Sequence, residues 1–258
     1  MPKAVFLDID GTLLSFATRL VPKSALDAMS KAKERGVRIF IATGRHKSEL
    51  GTDPNLYSFP FDGYVTQNGA YCHTKEKVIH KTPLRKCTLE ALVANIEREP
   101  FTCIFCEEER MFMNKSDEMV IGLLDKFKLP VPPVGDLQRA LSSEIYQVVP
   151  IVSKQNEHLI ENLPGAKVTK WYDGGYDIVN EDVNKWLGIE KMLAHYSISP
   201  SDTAAIGDAE NDMEMLLGAG YSVAMGNAPE AVKKCAKHVT SHIDEDGIKN
   251  AFEYLFER

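Results

Sequence analysis

No apolar run in the 258 residues approaches the roughly 20 needed to span a bilayer, so no membrane-spanning helix is expected. The N-terminus lacks the basic n-region and long apolar h-region of a secretory signal, and the expectation is a cytoplasmic protein. Cysteine is sparse and odd in number: the five thiols at 72, 87, 103, 106 and 235 make no full disulfide framework, as suits a reducing compartment. Basic residues do not predominate. Thirty Lys and Arg against 37 Asp and Glu give a net charge of −7, so no diffuse attraction to nucleic acid or anionic membrane is expected. An anionic substrate must then find local positive charge or a metal. Repeats and low-complexity tracts are missing too, and 44% apolar with 26% charged residues fits an ordinary globular core.

What is present reads as α/β. "KAVFLDI" is a continuous apolar run, the pattern of a strand buried on both faces. "PKSALDAMSKAKERG" has helical spacing, with Pro22 near its start and Gly36 at its end. "VRIFIATGR" is a second buried strand, and the three together form a right-handed β-α-β unit. The same grammar returns late, in the strands "TAAIGD" and "YSVAMG", the short strand "HVTS", and the helices "WLGIEKMLAHY", "NDMEMLLGAG", "APEAVKKCA" and "DGIKNAFEYLF".

The middle differs. Helix over 88–98, strands at 102–106 and 111–114, helix over 117–127, strand 145–152, helix 154–163 and strands near 166–180 describe an inserted α+β module. The domain expectation is therefore a core of residues 1–82 and 181–258 interrupted by a cap of residues 83–180. The acidic run Glu107–Glu109 reads as a solvated turn, Cys103-Ile-Phe-Cys106 as buried apolar thiols, and His46 as a surface helix position.

In an open α/β sheet, ligands bind beyond the C-terminal strand ends. Those positions carry Asp8 and Asp10, then Thr43, Gly44 and Arg45, then Asp208 with Asn211 and Asp212; Lys185 precedes the helix leading to the last strand. Residues two apart on a strand face one side, so Asp8 and Asp10 can both face one crevice, although the strand is ending there. Carboxylates gathered this way repel and require a cation. An all-oxygen donor set with few carboxylates suits Mg²⁺.

These motifs resemble those of the haloacid dehalogenase superfamily. "DIDGT" matches its DxDGT signature, "IATGR" its second motif, Lys185 its third and "GDAEND" its fourth. "GDAEND" has alanine where glycine or serine is frequent, and Lys185 is followed by Trp-Leu-Gly rather than an immediate glycine. "VTQNGAYC", "SVAMGNAPEAVK" and "HVTSHIDEDGI" are similar to the Cof-type branch, which carries an α/β cap between the second and third motifs. The resemblance spans nearly the whole chain and implies an open parallel Rossmann-like core. It implies a Mg²⁺-dependent phosphatase with Asp8 as nucleophile, Asp10 as acid and base, and Thr43 and Lys185 on the phosphoryl oxygens. The ion would be held by the Asp8 carboxylate, the Asp10 carbonyl and the Asp208 side chain. Gly44, Arg45, Asn211 and Asp212 would support the site or bind phosphate.

The substrate class so implied is small phosphorylated metabolites, foremost hexose and related sugar phosphates, with pyridoxal phosphate and nucleotides as alternatives. A phosphomutase, a phospho-accepting signalling module and a non-catalytic binding protein are the competing classes. The oligomeric expectation is a monomer or weak homo-oligomer. Every chemical residue lies in the core, which sees only the phosphoryl group. Selectivity is therefore expected from the insert, with Trp171, Tyr172 and Asp173 of the turn "KWYDGG" as candidate contacts and Trp171 and Tyr172 alternatively core.

Overall fold

A computed structural model describes residues 1–52, 56 and 58–256, so positions 53–55, 57, 257 and 258 of the expected core segments lie outside the described residues. In chain order the strands are β1 (Ala4–Leu7), β2 (Arg38–Ala42), β3 (Gly63–Thr66), β4 (Tyr71–His73), β5 (Val78–Lys81), β6 (Thr102–Cys106), β7 (Met111–Met113), β8 (Gln147–Ile151), β9 (Ala166–Tyr172), β10 (Gly175–Asn180), β11 (Thr203–Gly207), β12 (Tyr221–Ala224) and β13 (His238–Val239). The helices are α1 (Lys23–Glu34), α2 (Lys86–Arg98), α3 (Glu118–Phe127), α4 (Lys185–Tyr196), α5 (Met213–Gly218), α6 (Glu230–Lys233) and α7 (Gly247–Phe256). The chain divides into two compact units: Met1–Gly44, Asp53–His80 and Asn184–Arg258 form one, Arg45–Thr52 and Lys81–Val183 the other.

The first unit is an open sheet in the order β13-β12-β11-β1-β2-β3-β4-β5 among the described residues. From β13 to β3 every pairing is parallel; β4 turns back antiparallel on β3. β1 lies between β11 and β2, and all four of its residues are buried, which is why its sequence has no polar alternation. Phe6 stacks on Phe40 across the β1–β2 pair, with ring centroids 4.5 Å apart. Truncating such a buried ring costs about 3–5 kcal/mol. Helix α1 buries Ala25, Met29 and Ala32, one stripe at helical spacing, and Gly36 leaves it at φ +83. The strands β3 to β5 extend the sheet beyond the motif-bearing strands. Their short lengths give little periodicity from which to read them.

The second unit is an antiparallel sheet, β7-β6-β8-β10-β9. One face packs on α2 through Leu89, Leu92, Val93 and Ile96. The other buries Ile104, Cys106 and Ile151 with Val120 and Leu124 of α3. Cys103 and Cys106 fall on opposite faces, and burial pushes both thiols up, as expected of apolar packing rather than a redox pair.

Three sequence expectations change here. The helix over 154–163 is a 3-10 turn, Lys154–Leu159; Asn162 at φ +58 and Pro164 stop it from continuing. His46 is buried, at 1% exposure. Its Nδ1 lies 2.8 Å from Ser48 Oγ and its Nε2 3.0 Å from the Glu107 carbonyl oxygen. Glu107 is buried rather than solvated: Arg139 Nε donates to its Oε1 at 2.7 Å and Arg110 Nε to its Oε2 at 2.9 Å. Burial alone would raise this carboxyl, but the two guanidinium groups outweigh it and hold it below the usual glutamate range.

Candidate active site

Within the first unit the parallel strands end on charge. Asp8 follows β1, and its N–H donates to the Ile206 carbonyl of β11 at 3.1 Å. The chain then doubles back: Leu13 and Leu14 both donate to the Ile9 carbonyl, and Gly11 sits at φ +90. A Cβ at Gly11 would lie 2.3 Å from Asp208 Oδ2, so the turn admits only glycine. Asp208 follows β11, and its N–H and that of Ala209 donate to Asp212 Oδ2 at 2.9 and 3.0 Å. Lys185 opens α4, whose first turn is capped by Asn184 Oδ1 accepting from the Leu187 N–H at 2.8 Å.

These segments place one cation among carboxylates. The fully buried Lys185 Nζ donates to Asp8 Oδ1 and to Asp212 Oδ1, each at 2.6 Å. Asp8, Asp208 and Asp212 each offer an oxygen, and the three oxygens lie within 4.8 Å of one another. Burial raises Asp8 to about 7; Lys185 opposes this, while Asp212 and Asp10 add to it. Burial also raises Asp208 to about 8, helped by Asp8 and Asp212 and opposed by Thr12 and Lys185. Burial would lower Lys185, but Asp212 and Asp8 outweigh it and raise it, keeping the ammonium charged. One lysine therefore under-compensates the cluster. A hard divalent cation fits the all-oxygen donors and would supply the missing charge. Asp212 is the least suited to ligate, because Oδ1 accepts from Lys185 and Oδ2 from two backbone N–H groups.

Of the residues read from the motifs, Asp8, Lys185, Asp208 and Asp212 are brought into direct contact or near contact. Thr43 is buried at the end of β2; its N–H donates to Val65 O at 2.8 Å and its carbonyl accepts from the Asn68 N–H at 3.0 Å. Asn211 Nδ2 donates to Asn68 Oδ1 at 2.9 Å. Asp10 is half-buried in the turn after β1, and Gly44 closes the first unit's first segment. Arg45, though buried, belongs to the second unit. So do Trp171, Tyr172 and Asp173. Trp171 and Tyr172 pack edge-on against Phe127 at 5.3 and 5.1 Å, Lys126 lies 4.5 Å over the Tyr172 ring, and Asp173 is exposed beside Lys170.

Three residues were passed over in the sequence. Thr12 Oγ1 donates to Asp208 Oδ1 at 2.6 Å across 196 positions. Asn227 Nδ2 donates to the Gly11 carbonyl at 2.8 Å and to Asp208 Oδ2 at 3.3 Å, while its Oδ1 accepts from the Ile243 N–H at 3.1 Å. Asn68 joins Thr43 to Asn211. For Thr12 and Asn227 the signal was their place inside quoted motifs, "DIDGT" and "AMGNAPE".

Comparison with known proteins gives the family. Residues 5–252 match the family model of haloacid dehalogenase-like hydrolases. The solved structure of the HAD subclass IIB sugar phosphatase BT4131 superposes with a TM-score of 0.88 at 37% identity, covering 98% of both chains. The phosphatase BT1666 of Bacteroides thetaiotaomicron superposes at 0.88 with 32% identity, over 98% of this chain and 95% of that one. The 5-amino-6-(5-phospho-D-ribitylamino)uracil phosphatase YitU of Bacillus subtilis is 27% identical over 99% of this chain and 98% of its own. The chain belongs to the haloacid dehalogenase-like hydrolases, in their Cof-type branch, and is a phosphatase.

Proposed function

We propose that the chain is a Mg²⁺-dependent phosphatase of small phosphorylated metabolites, foremost sugar phosphates, working through an aspartyl phosphate on Asp8. The observation that carries this reading is the Asp8 carboxylate, buried against Lys185 at 2.6 Å within a cluster of three carboxylates. Asp8 attacks phosphorus, forming an Oδ–P bond as the bond to the leaving oxygen breaks. Asp10 gives its proton to that oxygen, then takes one from the water that hydrolyses the acyl phosphate. Lys185, Thr43 and the Gly44 N–H hold the phosphoryl oxygens, with Arg45 and Asn211 in support. Asp212, with both oxygens engaged, holds Lys185 and the Asp208 loop in place.

Asp8, the Asp10 carbonyl and Asp208 would hold Mg²⁺, and the ion when bound offsets both the carboxylate repulsion and the phosphoryl charge. In the second unit, Trp171, Tyr172 and Asp173 contribute to leaving-group selectivity. The sugar phosphatase BT4131 and the ribityl-phosphate phosphatase YitU, whose names denote polyhydroxylated phosphomonoesters, support this substrate class.

A phosphate-release panel of hexose phosphates, pentose phosphates, pyridoxal phosphate and nucleotides tests the reading. Sugar phosphates are expected to lead it. A panel led by nucleotides overturns the substrate class, and failure to release phosphate from any member overturns the activity.

A further inference from the structure

The turn after β3 joins two segments that reach the site from distant parts of the chain. Residues Gln67–Gly69 follow β3, and β3 pairs in parallel with β2, whose end delivers Thr43 and Gly44. Backbone bonds lace the two strand ends together. The Thr43 N–H donates to the Val65 carbonyl at 2.8 Å, and the Asn68 N–H donates to the Thr43 carbonyl at 3.0 Å. With its side chain Asn68 reaches the turn after β11: its Oδ1 accepts from Asn211 Nδ2 at 2.9 Å, across 143 positions of sequence. Asn211 sits in the 3-10 turn Glu210–Asp212, between Asp208 and Asp212. One residue therefore holds the Thr43 strand end by its backbone and the acidic turn by its side chain.

The local structure keeps that residue in place. Asn68 is 6% exposed and lies at φ +55, in the left-handed region where asparagine is tolerated better than most side chains. Gly69 follows at φ +97 and presses on the start of α4; a Cβ there would stand 2.1 Å from the Asn184 carbonyl oxygen, one residue before Lys185. Thr66 Oγ1 donates to the Tyr71 carbonyl at 2.9 Å and the Ala70 N–H to the Gln67 carbonyl at 3.0 Å, closing the turn on itself. The Asp208 carboxylate has its own supports in Thr12 and Asn227, and its N–H is held by Asp212. Losing the Asn68 side chain would thus free the spacing between the Thr43 strand end and the acidic turn while leaving each intact.

We propose that Asn68 is a positioning residue that fixes the spacing between Thr43 and the Asp208–Asp212 turn, so that both engage one phosphoryl group at once. This rests on the phosphatase reading above and deepens it. A group gripped from two segments is bound tightly only where the segments already stand at the right separation, because any slack must be removed on binding.

The test uses Asn68→Gly, which adopts the left-handed backbone freely and keeps the N–H bond to Thr43, so that only the side-chain tie is lost. Asn211→Ala removes the same bond from its other end. Calorimetry measures Mg²⁺ alone and inorganic phosphate in saturating Mg²⁺, beside Tm and steady-state kinetics on glucose 6-phosphate and p-nitrophenyl phosphate. Asn68→Gly is expected to bind phosphate about 3- to 10-fold more weakly, the worth of about one hydrogen bond, with Mg²⁺ affinity within about twofold of the wild type. Its kcat/KM should fall by a common factor on both esters, since the phosphoryl group is what they share. In the double variant the loss should be no greater than in Asn211→Ala alone, because the two residues act through one bond. Unchanged phosphate affinity, losses that add in the double variant, a changed ranking of the two esters, or Mg²⁺ affinity falling in step with a lowered Tm overturns the proposal while leaving the phosphatase reading intact. Should Asn68→Gly fail to fold, Asn211→Ala decides: weaker phosphate with unchanged Mg²⁺ supports the tie, and any other pattern overturns it. A wild type that binds no phosphate and hydrolyses neither ester overturns both.

Discussion

The Lys185 ammonium lies 2.6 Å from Asp8 Oδ1, with the lysine side chain fully buried and the aspartate 7% exposed. Lys185→Met removes the positive charge and leaves Asp8 and Asp212 facing each other. Breaking a buried pair this way costs about 3–5 kcal/mol. The sign of the pH dependence follows from Asp8, already raised to about 7. A raised carboxyl binds its proton more tightly in the folded state, so its unfavourable charge is felt as pH climbs towards and past 7. In metal-free buffer the Tm deficit of Lys185→Met should be larger at pH 8 than at pH 5.5. Equal deficits at the two pH values would show that the pair is not the source of the cost.

Asp8→Asn preserves shape and removes the attacking oxygen anion. Turnover should fall by at least about 10³-fold with the fold retained. Acid quenching of the wild type during turnover, followed by peptide mass analysis, should find one added phosphoryl group on the peptide containing Asp8. Finding it on another peptide would displace Asp8 from its role.

Asp10→Asn should slow protonation of the leaving oxygen and hydrolysis of the acyl phosphate. Release of p-nitrophenolate needs no proton, so the first of these losses should vanish for that ester in a burst experiment. A burst slowed equally for p-nitrophenyl phosphate and a sugar phosphate would argue that Asp10 is not the acid.

Asn227 ties Asp208 Oδ2 to the Gly11 carbonyl and the Ile243 N–H. Losing it should loosen the Asp208 carboxylate, and outer-shell partners of this kind are worth about 10–100-fold in metal affinity. Asn227→Ala should weaken Mg²⁺ binding by that order in calorimetry without substrate, and Asp208→Ala should weaken it further. Excess chelator should abolish turnover and Mg²⁺ restore it. Undiminished Mg²⁺ affinity in Asn227→Ala would reduce the asparagine to a loop brace.

His46 offers a separate pH test in the second unit. Burial lowers it from the usual 6.5, with Lys47 acting in the same direction and the Glu107 carbonyl and the Glu109 carboxylate opposing. A depressed histidine favours the folded state above the unfolded value, and that contribution is lost as pH falls below about 6.5. The urea midpoint of the wild type should therefore drop between pH 7.5 and 5.5 by more than that of His46→Gln. Parallel shifts would place the acid sensitivity elsewhere.

The sequence was most readable where burial on both faces forces an unbroken apolar run, as in Ala4–Leu7 and Arg38–Ala42, because each such strand then ends visibly on polar residues. Asp8, Thr43 and Asp208 stand out on that ground alone. Thr12 and Asn227 did not, since each works through a partner about two hundred or about twenty positions away that no local pattern predicts. His46 and Glu107 escape a local reading for the same reason: a polar residue in a polar stretch looks solvated until Arg139 reaches Glu107 and the Glu107 carbonyl reaches His46 from distant segments.

The central strand β1 has β11 as one neighbour, and 196 positions separate Thr12 from Asp208 where the two loops meet. On a ribosome adding about 5–20 residues each second, Asp8 emerges some 10–40 seconds before its partner loop exists. Through most of that interval the nascent chain holds a signature aspartate but neither Lys185 nor Asp208. Fragments ending before α4 should accordingly be hydrolytically silent, and pairing β1 with β11 closes a loop long enough to rank among the slow steps of folding.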